Sequence, residues 1–197
     1  MLRNFLMNKK RTVIFGGSFD PIHVGHLSLA SEVCRRGLAS EVWFMVSPHN
    51  PHKEQSRLSD ENVRLEMVRL AVEGHEEFKA CDFEFSLPRP SYTINTLREL
   101  EKRYPKREFI LLVGADNWNV FDKWYRAGEI LERYEIIVYP RDTSEAPPLP
   151  PGVTWLPAGL LDVSSTMIRN AVACGDSIKN MVPATVEQYI NNNNLYR

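Results

Sequence analysis

Cysteine is scarce in this chain of 197 residues, with only Cys34, Cys81 and Cys174. An odd set cannot pair completely, and the spacing fits no metal-ligand pattern. That argues against a disulfide framework and for reduced thiols in a cytoplasmic protein. Long apolar runs are missing too. The longest, Phe109–Val113 extended by Gly114 and Ala115, falls far short of a membrane span and reads as a buried strand. An excess of one charge is also lacking. Lys and Arg number 24 against 25 Asp and Glu, a net charge of -1. A broad nucleic-acid groove needs a basic excess, so a nucleic-acid partner is not expected. Residues 1–11 lack the order of a secretory signal, because their apolar stretch is broken by Asn and their positive charges follow it. They read as a short leader before a single domain over 12–197. No repeat of fixed period is visible. What remains is 43% hydrophobic, 10% aromatic and 25% charged, which are ordinary globular proportions.

Apolar, β-branched runs alternate with helical periodicity along the chain. Strands are expected at Thr12–Phe15, Glu41–Val46, Phe78–Phe85, Glu108–Val113, Tyr134–Tyr139 and Val153–Leu156. Helices are expected over Val24–Arg36, stopping at Gly37, over Asp60–Val72 behind a Ser59 cap, and over Thr93–Arg103 behind a Ser91 cap. Asn119–Leu131 has mixed helical character. Further helices follow at Thr166–Ala173 and Pro183–Asn191, with Pro183 at the first helical position. Residues 47–58 and 142–152 read as loops. This alternation predicts an α/β fold, a doubly wound parallel sheet of Rossmann type with a helical C-terminal part. Such sheets bind ligands beyond the carboxyl ends of strands, where strand order reverses. The segments to inspect therefore follow Phe15 and Val113.

After the first strand comes Gly16-Gly17-Ser18-Phe19-Asp20-Pro21-Ile22-His23-Val24-Gly25-His26. Gly16 and Gly17 are expected to turn tightly and bring backbone close to a ligand, with Ser18 and Phe19 beside them. His23 and His26, three apart at a helix start, share one face. Gly25 leaves room for a phosphate, and the helix N-terminus attracts it. Two imidazoles can donate to phosphate oxygens without covalent chemistry. A zinc site would need further ligands, for which no pattern exists, and the G-x-G-x-x-G spacing of a dehydrogenase is absent. After the later strand, Gly114 permits close approach, and Asp116 can accept from ribose hydroxyls, help hold a metal, or cap the next helix. Ser164, Ser165 and Thr166 at a helix start, with Arg169 one turn on, form a second anion site or an ordinary cap. Lys53, in His49-Asn50-Pro51-His52-Lys53, could add a cation from a loop. Trp124 and Tyr125, and Tyr92 with Thr93, supply aromatics that either stack on a heterocycle or join the core.

Taken together, these motifs resemble the nucleotidyltransferase superfamily marked by (H/T)-x-G-H, here His23-Val24-Gly25-His26. Pro90-Ser91-Tyr92-Thr93 and Trp124-Tyr125, in that order, are similar to the nicotinate-mononucleotide adenylyltransferase branch. The likeness spans about residues 12–197 and includes Gly114-Ala115-Asp116, Ser164–Arg169 and Leu195-Tyr196-Arg197. The resemblance implies that ATP and nicotinate mononucleotide give deamido-NAD and pyrophosphate, with Mg²⁺ accompanying ATP. It implies that His23 and His26 contact the phosphates, that Lys53 helps on the pyrophosphate side, and that Ser165, Thr166 and Arg169 hold the β and γ phosphates. Gly114 and Asp116 would meet the adenosine ribose. Trp124 would stack on the pyridine, and the backbone N–H groups of Thr93 and Tyr125 would receive its carboxylate. Members of the family commonly carry two prolines in the lid loop, where this chain has Asn50-Pro51. Ser47 stands where some have Asn against the acceptor phosphate.

The acceptor phosphate is already anionic, so catalysis reduces to positioning and electrostatics, and no triad or nucleophilic Cys is called for. Three alternatives stay open. One is another acceptor, such as nicotinamide mononucleotide or phosphopantetheine. The others are a dinucleotide-binding module without turnover and an RNA-binding protein, the last opposed by the net charge of -1 and the absence of a basic arm beyond Lys9-Lys10-Arg11. No membrane partner is expected, and a homo-oligomer is neither required nor excluded.

Overall fold

Six strands make one parallel sheet in this computed structural model, which describes residues 9–48, 58–140, 148–157 and 161–197. They are β1 (Lys10–Gly17), β2 (Glu41–Val46), β3 (Phe78–Cys81), β4 (Arg107–Gly114), β5 (Glu135–Tyr139) and β6 (Val153–Trp155). Their spatial order is β3-β2-β1-β4-β5-β6, and every pairing is parallel. This is the doubly wound Rossmann arrangement that the alternation predicts. Phe15 pairs with Phe44 on one side and Leu112 on the other. The order reverses between β1 and β4, which opens a crevice at their carboxyl ends.

The central strands are apolar throughout because both faces are covered. All six residues of β2 are buried. Val13, Phe15, Phe44 and Leu112 pack beneath α1 (Val24–Arg35), α2 (Glu61–Val72), α6 (Ser165–Cys174) and α7 (Ala184–Asn192). Ile14, Trp43, Leu111 and Val113 face the other way, against α3 (Thr93–Arg103) and α5 (Ala127–Arg133). The two-residue period of a strand separates these two cores.

Several boundaries differ from the sequence expectation, each for a local reason. The first strand starts at Lys10, not after a leader ending at residue 11, because Lys10 and Arg11 already pair with Arg107 and Glu108. Asp60, not Ser59, caps α2, and its carboxylate accepts the Asn62 N–H at 2.8 Å. The third strand stops at Cys81 and continues as a 3-10 turn over Phe83–Ser86. Tyr92, not Ser91, is the N-cap of α3, and it makes no side-chain cap bond. The mixed stretch resolves into short α4 (Ala115–Trp118), a 3-10 turn over Phe121–Lys123, and α5. Pro183 is the N-cap of α7 and not its first helical residue.

The amino-terminal edge of the sheet carries a buried charge. Glu41, only 3% exposed, accepts from the Lys10 ammonium, from Arg107 Nη1 at 2.5 Å and from Trp43 Nε1 at 3.0 Å. Burial alone would push this carboxyl upward. The three donors outweigh it and hold the carboxyl down at about 2.

Candidate active site

A cleft of about 1250 Å³ lies where β1 and β4 end. Gly16, Gly17, Ser18, Phe19, His23, His26, Ser47, Thr93, Gly114, Asp116, Trp124, Ser164, Ser165, Thr166 and Arg169 all line it. Tyr92 and Tyr125 line a smaller pocket of about 240 Å³ that shares Thr93 and Trp124. Lys53 lies outside the described residues.

The turn after β1 works differently from the expectation for its glycines. Phe19, not a glycine, adopts the left-handed conformation, with φ 48°. A Cβ at Gly17 would stand 2.9 Å from the Phe19 ring, so Gly17 makes space for that ring to fold back. Nothing lies within 4 Å of where a Gly16 Cβ would be. Gly25 likewise serves protein packing before any phosphate. Its Cβ would meet Val163 and the His23 ring at 3.1 Å.

His23 is the N-cap of α1 and His26 sits in its first turn. Their rings stack with centroids 3.7 Å apart. His26 is also wedged edge-on against Phe19 at 5.1 Å and Phe15 at 5.7 Å. Its Nδ1 accepts the His23 backbone N–H at 3.3 Å. In the neutral ring this puts the proton on Nε2, which is then the donor. Helix spacing and apolar packing therefore orient both imidazoles along one wall of the cleft.

The start of α6 lines the same cleft. Here the hydroxyls already have structural work. Ser164 caps the helix, accepting the Met167 N–H at 3.2 Å, and Ser165 Oγ donates to the Pro21 carbonyl at 2.9 Å. Ser164 therefore caps the helix, as one reading of the sequence expects, and Ser165 ties α6 to the turn after β1, while both residues line the cleft with Thr166. Arg169 reaches the Asp20 carbonyl at 2.7 Å through Nη1 and the Thr166 hydroxyl at 3.2 Å through Nη2. It lines the cleft with charge and helix N-terminus together.

At the β4 end, Gly114 is the N-cap of α4 and Asp116 its second residue, so Asp116 is not the helix cap. Trp124 is half-buried, its ring 5.2 Å from Phe121, and it borders both cavities. It is thus a core edge and a ligand wall at once. Tyr92 and Tyr125 face each other at 4.6 Å. Thr93 opens α3, whose first N–H groups have no partner inside the helix.

Sequence reasoning missed three charged groups. Asp20 is fully buried, and its carboxylate takes the Ser59 N–H at 3.2 Å and the Tyr196 hydroxyl at 2.6 Å. Arg64, also fully buried, donates to the carbonyls of Ser18, Ser47 and Ser59. Burial lowers the affinity of its guanidinium for the proton, and the Asp20 charge opposes that. The signal was an Arg on the apolar face of α2, in line with Val68 and Ala71. Glu84, on the cleft wall, is held above the ordinary carboxylate range by burial despite a bond from Thr96.

Among the described residues no group of three or more His, Cys, Asp and Glu could hold a metal ion. Burial raises the Cys34 thiol and pushes Cys81 up to about 11, which leaves neither poised as a nucleophile. The arrangement can bind an anionic chain between two imidazoles and a guanidinium, with an aromatic slot at the far end.

Known proteins are similar to this chain in sequence and fold. Residues 14–171 match the cytidylyltransferase-like family. A Bacteroides fragilis protein named a probable nicotinate-nucleotide adenylyltransferase is 48% identical over 187 residues, covering 93% of each chain. A Flavobacterium johnsoniae protein of the same name is 40% identical, covering 93% of this chain and 97% of its own. The structure of a Vibrio parahaemolyticus protein assigned to that enzyme superposes with a TM-score of 0.72 at 25% identity, covering 95% of this chain and 96% of its own. A Plasmodium falciparum nicotinic acid mononucleotide adenylyltransferase complexed with NaAD superposes at 0.77 over 95% of this chain and 97% of its own, and at 19% identity it shares the fold. Matched over this much of its length, the chain belongs to the cytidylyltransferase-like family and, within it, to the nicotinate-nucleotide adenylyltransferases.

Proposed function

We propose that the cleft carries AMP from ATP to the 5′-phosphate of nicotinate mononucleotide, yielding deamido-NAD and pyrophosphate. The observation that carries this reading is that the stacked His23–His26 pair, the start of α6 and Arg169 line one crevice, which shares Thr93 and Trp124 with an aromatic slot. His26 Nε2 and His23 donate to the α-phosphate as charge develops there. Arg169 and the N-terminus of α6 hold the β and γ phosphates. Asp116 and Gly114 meet the adenosine ribose. Trp124 stacks on the pyridine ring. The open N-terminus of α3 at Thr93, with the Tyr125 backbone, receives the pyridine carboxylate, and a helix N-terminus favours that acid over its neutral amide.

No nucleophile from the protein is required. The acceptor oxygen attacks the α-phosphorus and pyrophosphate leaves, so the chain's contribution is alignment and charge stabilisation. Mg²⁺ is proposed to arrive chelated by the triphosphate, as this ion commonly does, and to neutralise charge on it. No helix among the described residues is long and apolar enough to cross a membrane. The three cysteines, none of them disulfide-bonded, support placement in the cytoplasm.

The test is pyrophosphate release from ATP and Mg²⁺ with each acceptor offered separately. Release with nicotinate mononucleotide and not with its amide or phosphopantetheine is expected. Release with phosphopantetheine alone reassigns the acceptor, and dinucleotide binding without release makes the chain a binding module.

A further inference from the structure

A buried cluster behind the cleft joins the turn after β1 to the start of α6 and to the C-terminal segment. Asp20 lies at its centre, fully buried. A buried carboxylate needs donors on both oxygens, and these come from Ser59 and from the Tyr196 hydroxyl. The 2.6 Å Tyr196 contact is the short one, as befits an O–H on a carboxylate. The same short stretch of chain carries the other ties. The Asp20 carbonyl takes Arg169, and the Pro21 carbonyl takes Ser165. His23 begins α1 two residues after Pro21. Both phosphate walls therefore hang from residues 20 and 21, and Tyr196 holds residue 20 from behind. Tyr196 is not among the residues lining the cleft.

We propose that Tyr196 is a positioning residue for adenylyl transfer, fixing the Asp20–Pro21 segment from which the His23–His26 turn and the Arg169 clamp both depend. The inference rests on the proposed function above. It predicts an asymmetric defect. The pyridine pocket at Tyr92–Tyr125 is built from α3 and the segment between α4 and α5, and none of the ties to residues 20 and 21 comes from there. Losing the hydroxyl should therefore slow the transfer step and spare acceptor binding.

The experiment compares Tyr196→Phe with Tyr134→Phe in the full chain. Tyr134 is a fair control. It is buried and donates its hydroxyl to the Glu101 carboxylate at 2.9 Å, on the face of the sheet away from α1 and α6. Thermal unfolding is recorded for both, and both are assayed where each is folded. Tyr196→Phe should lower kcat about 10- to 100-fold, the scale of a small misplacement of reacting groups. Its KM for nicotinate mononucleotide should stay within about twofold of wild type, and Tyr134→Phe should keep kcat within about twofold. Equal kcat values for the two variants, or a Tyr196→Phe defect confined to KM, overturns the proposal. A wild-type chain that turns over no acceptor defeats the functional reading itself, and this inference falls with it.

Discussion

Arg169 donates through Nη1 to the backbone carbonyl of Asp20 at 2.7 Å, joining positions 149 apart in the chain. The second arm of the same guanidinium holds the Thr166 hydroxyl. One planar group thus locks the loop after β1 to the start of α6 and adds positive charge to the wall. A lysine could supply the charge and not the fork. Arg169→Lys should therefore lose about 10- to 100-fold in kcat/KM for ATP, or roughly 1.4–2.8 kcal/mol of transition-state stabilisation. Steady-state kinetics decide this, and a Lys variant within twofold of wild type would show that charge alone suffices.

The His26 ring carries two separable contributions. It packs against Phe15, Phe19 and His23, and in the proposed reaction its Nε2 donates to the phosphate. His26→Ala removes both and should lower kcat by about 10²–10³, roughly 2.7–4 kcal/mol, as for loss of one preorganised donor. His26→Gln keeps a side-chain donor and should recover part of that loss. Near-normal turnover in the alanine variant removes His26 from the mechanism.

Trp124 divides its surface between Phe121 and the two cavities. If it stacks on the pyridine, Trp124→Ala weakens the acceptor by about 1–3 kcal/mol and leaves ATP nearly unaffected, by analogy with aromatic stacking on bases. Separate titrations of nicotinate mononucleotide and a non-hydrolysable ATP analogue measure this. Equal weakening of both would mean general loosening of the core.

The sheet was legible because two-sided burial makes β1, β2 and β4 near-continuous apolar runs, and turn residues mark their ends. The location of the site followed from strand order alone, since the reversal lies between β1 and β4. The pairing of His23 with His26 followed from helical spacing. The partners of the turn's own residues were not legible. The Ser165 bond to Pro21 spans 144 positions, and the closeness of Val163 to Gly25 likewise needs the fold to be seen. Asp20 bonds Ser59 and Tyr196 across 39 and 176 positions of chain, and Arg64 bonds backbone carbonyls that carry no residue signature. Local pattern finds the surfaces that face a ligand, and the buried groups that hold those surfaces need the fold.

Glu41 gives a prediction about stability that is independent of the reaction. Its folded carboxyl is held at about 2, below the ordinary 4.5, by Lys10, Trp43 and Arg107 acting against burial. A carboxyl lowered on folding stabilises the fold fully above its unfolded value, and that stabilisation is lost as pH falls toward the folded one. The window is therefore about pH 5 down to 2, and the stabilisation at stake is at most about 3 kcal/mol. Glu41→Gln cannot ionise, so it should be less stable than wild type at neutral pH, and the gap should close as pH falls to 2. Urea unfolding of both proteins at steps through that window isolates Glu41, because every other carboxylate is shared by the pair. Two curves running parallel from pH 6 to 2 would show that the Lys10–Glu41–Arg107 cluster contributes no net pH-dependent stability.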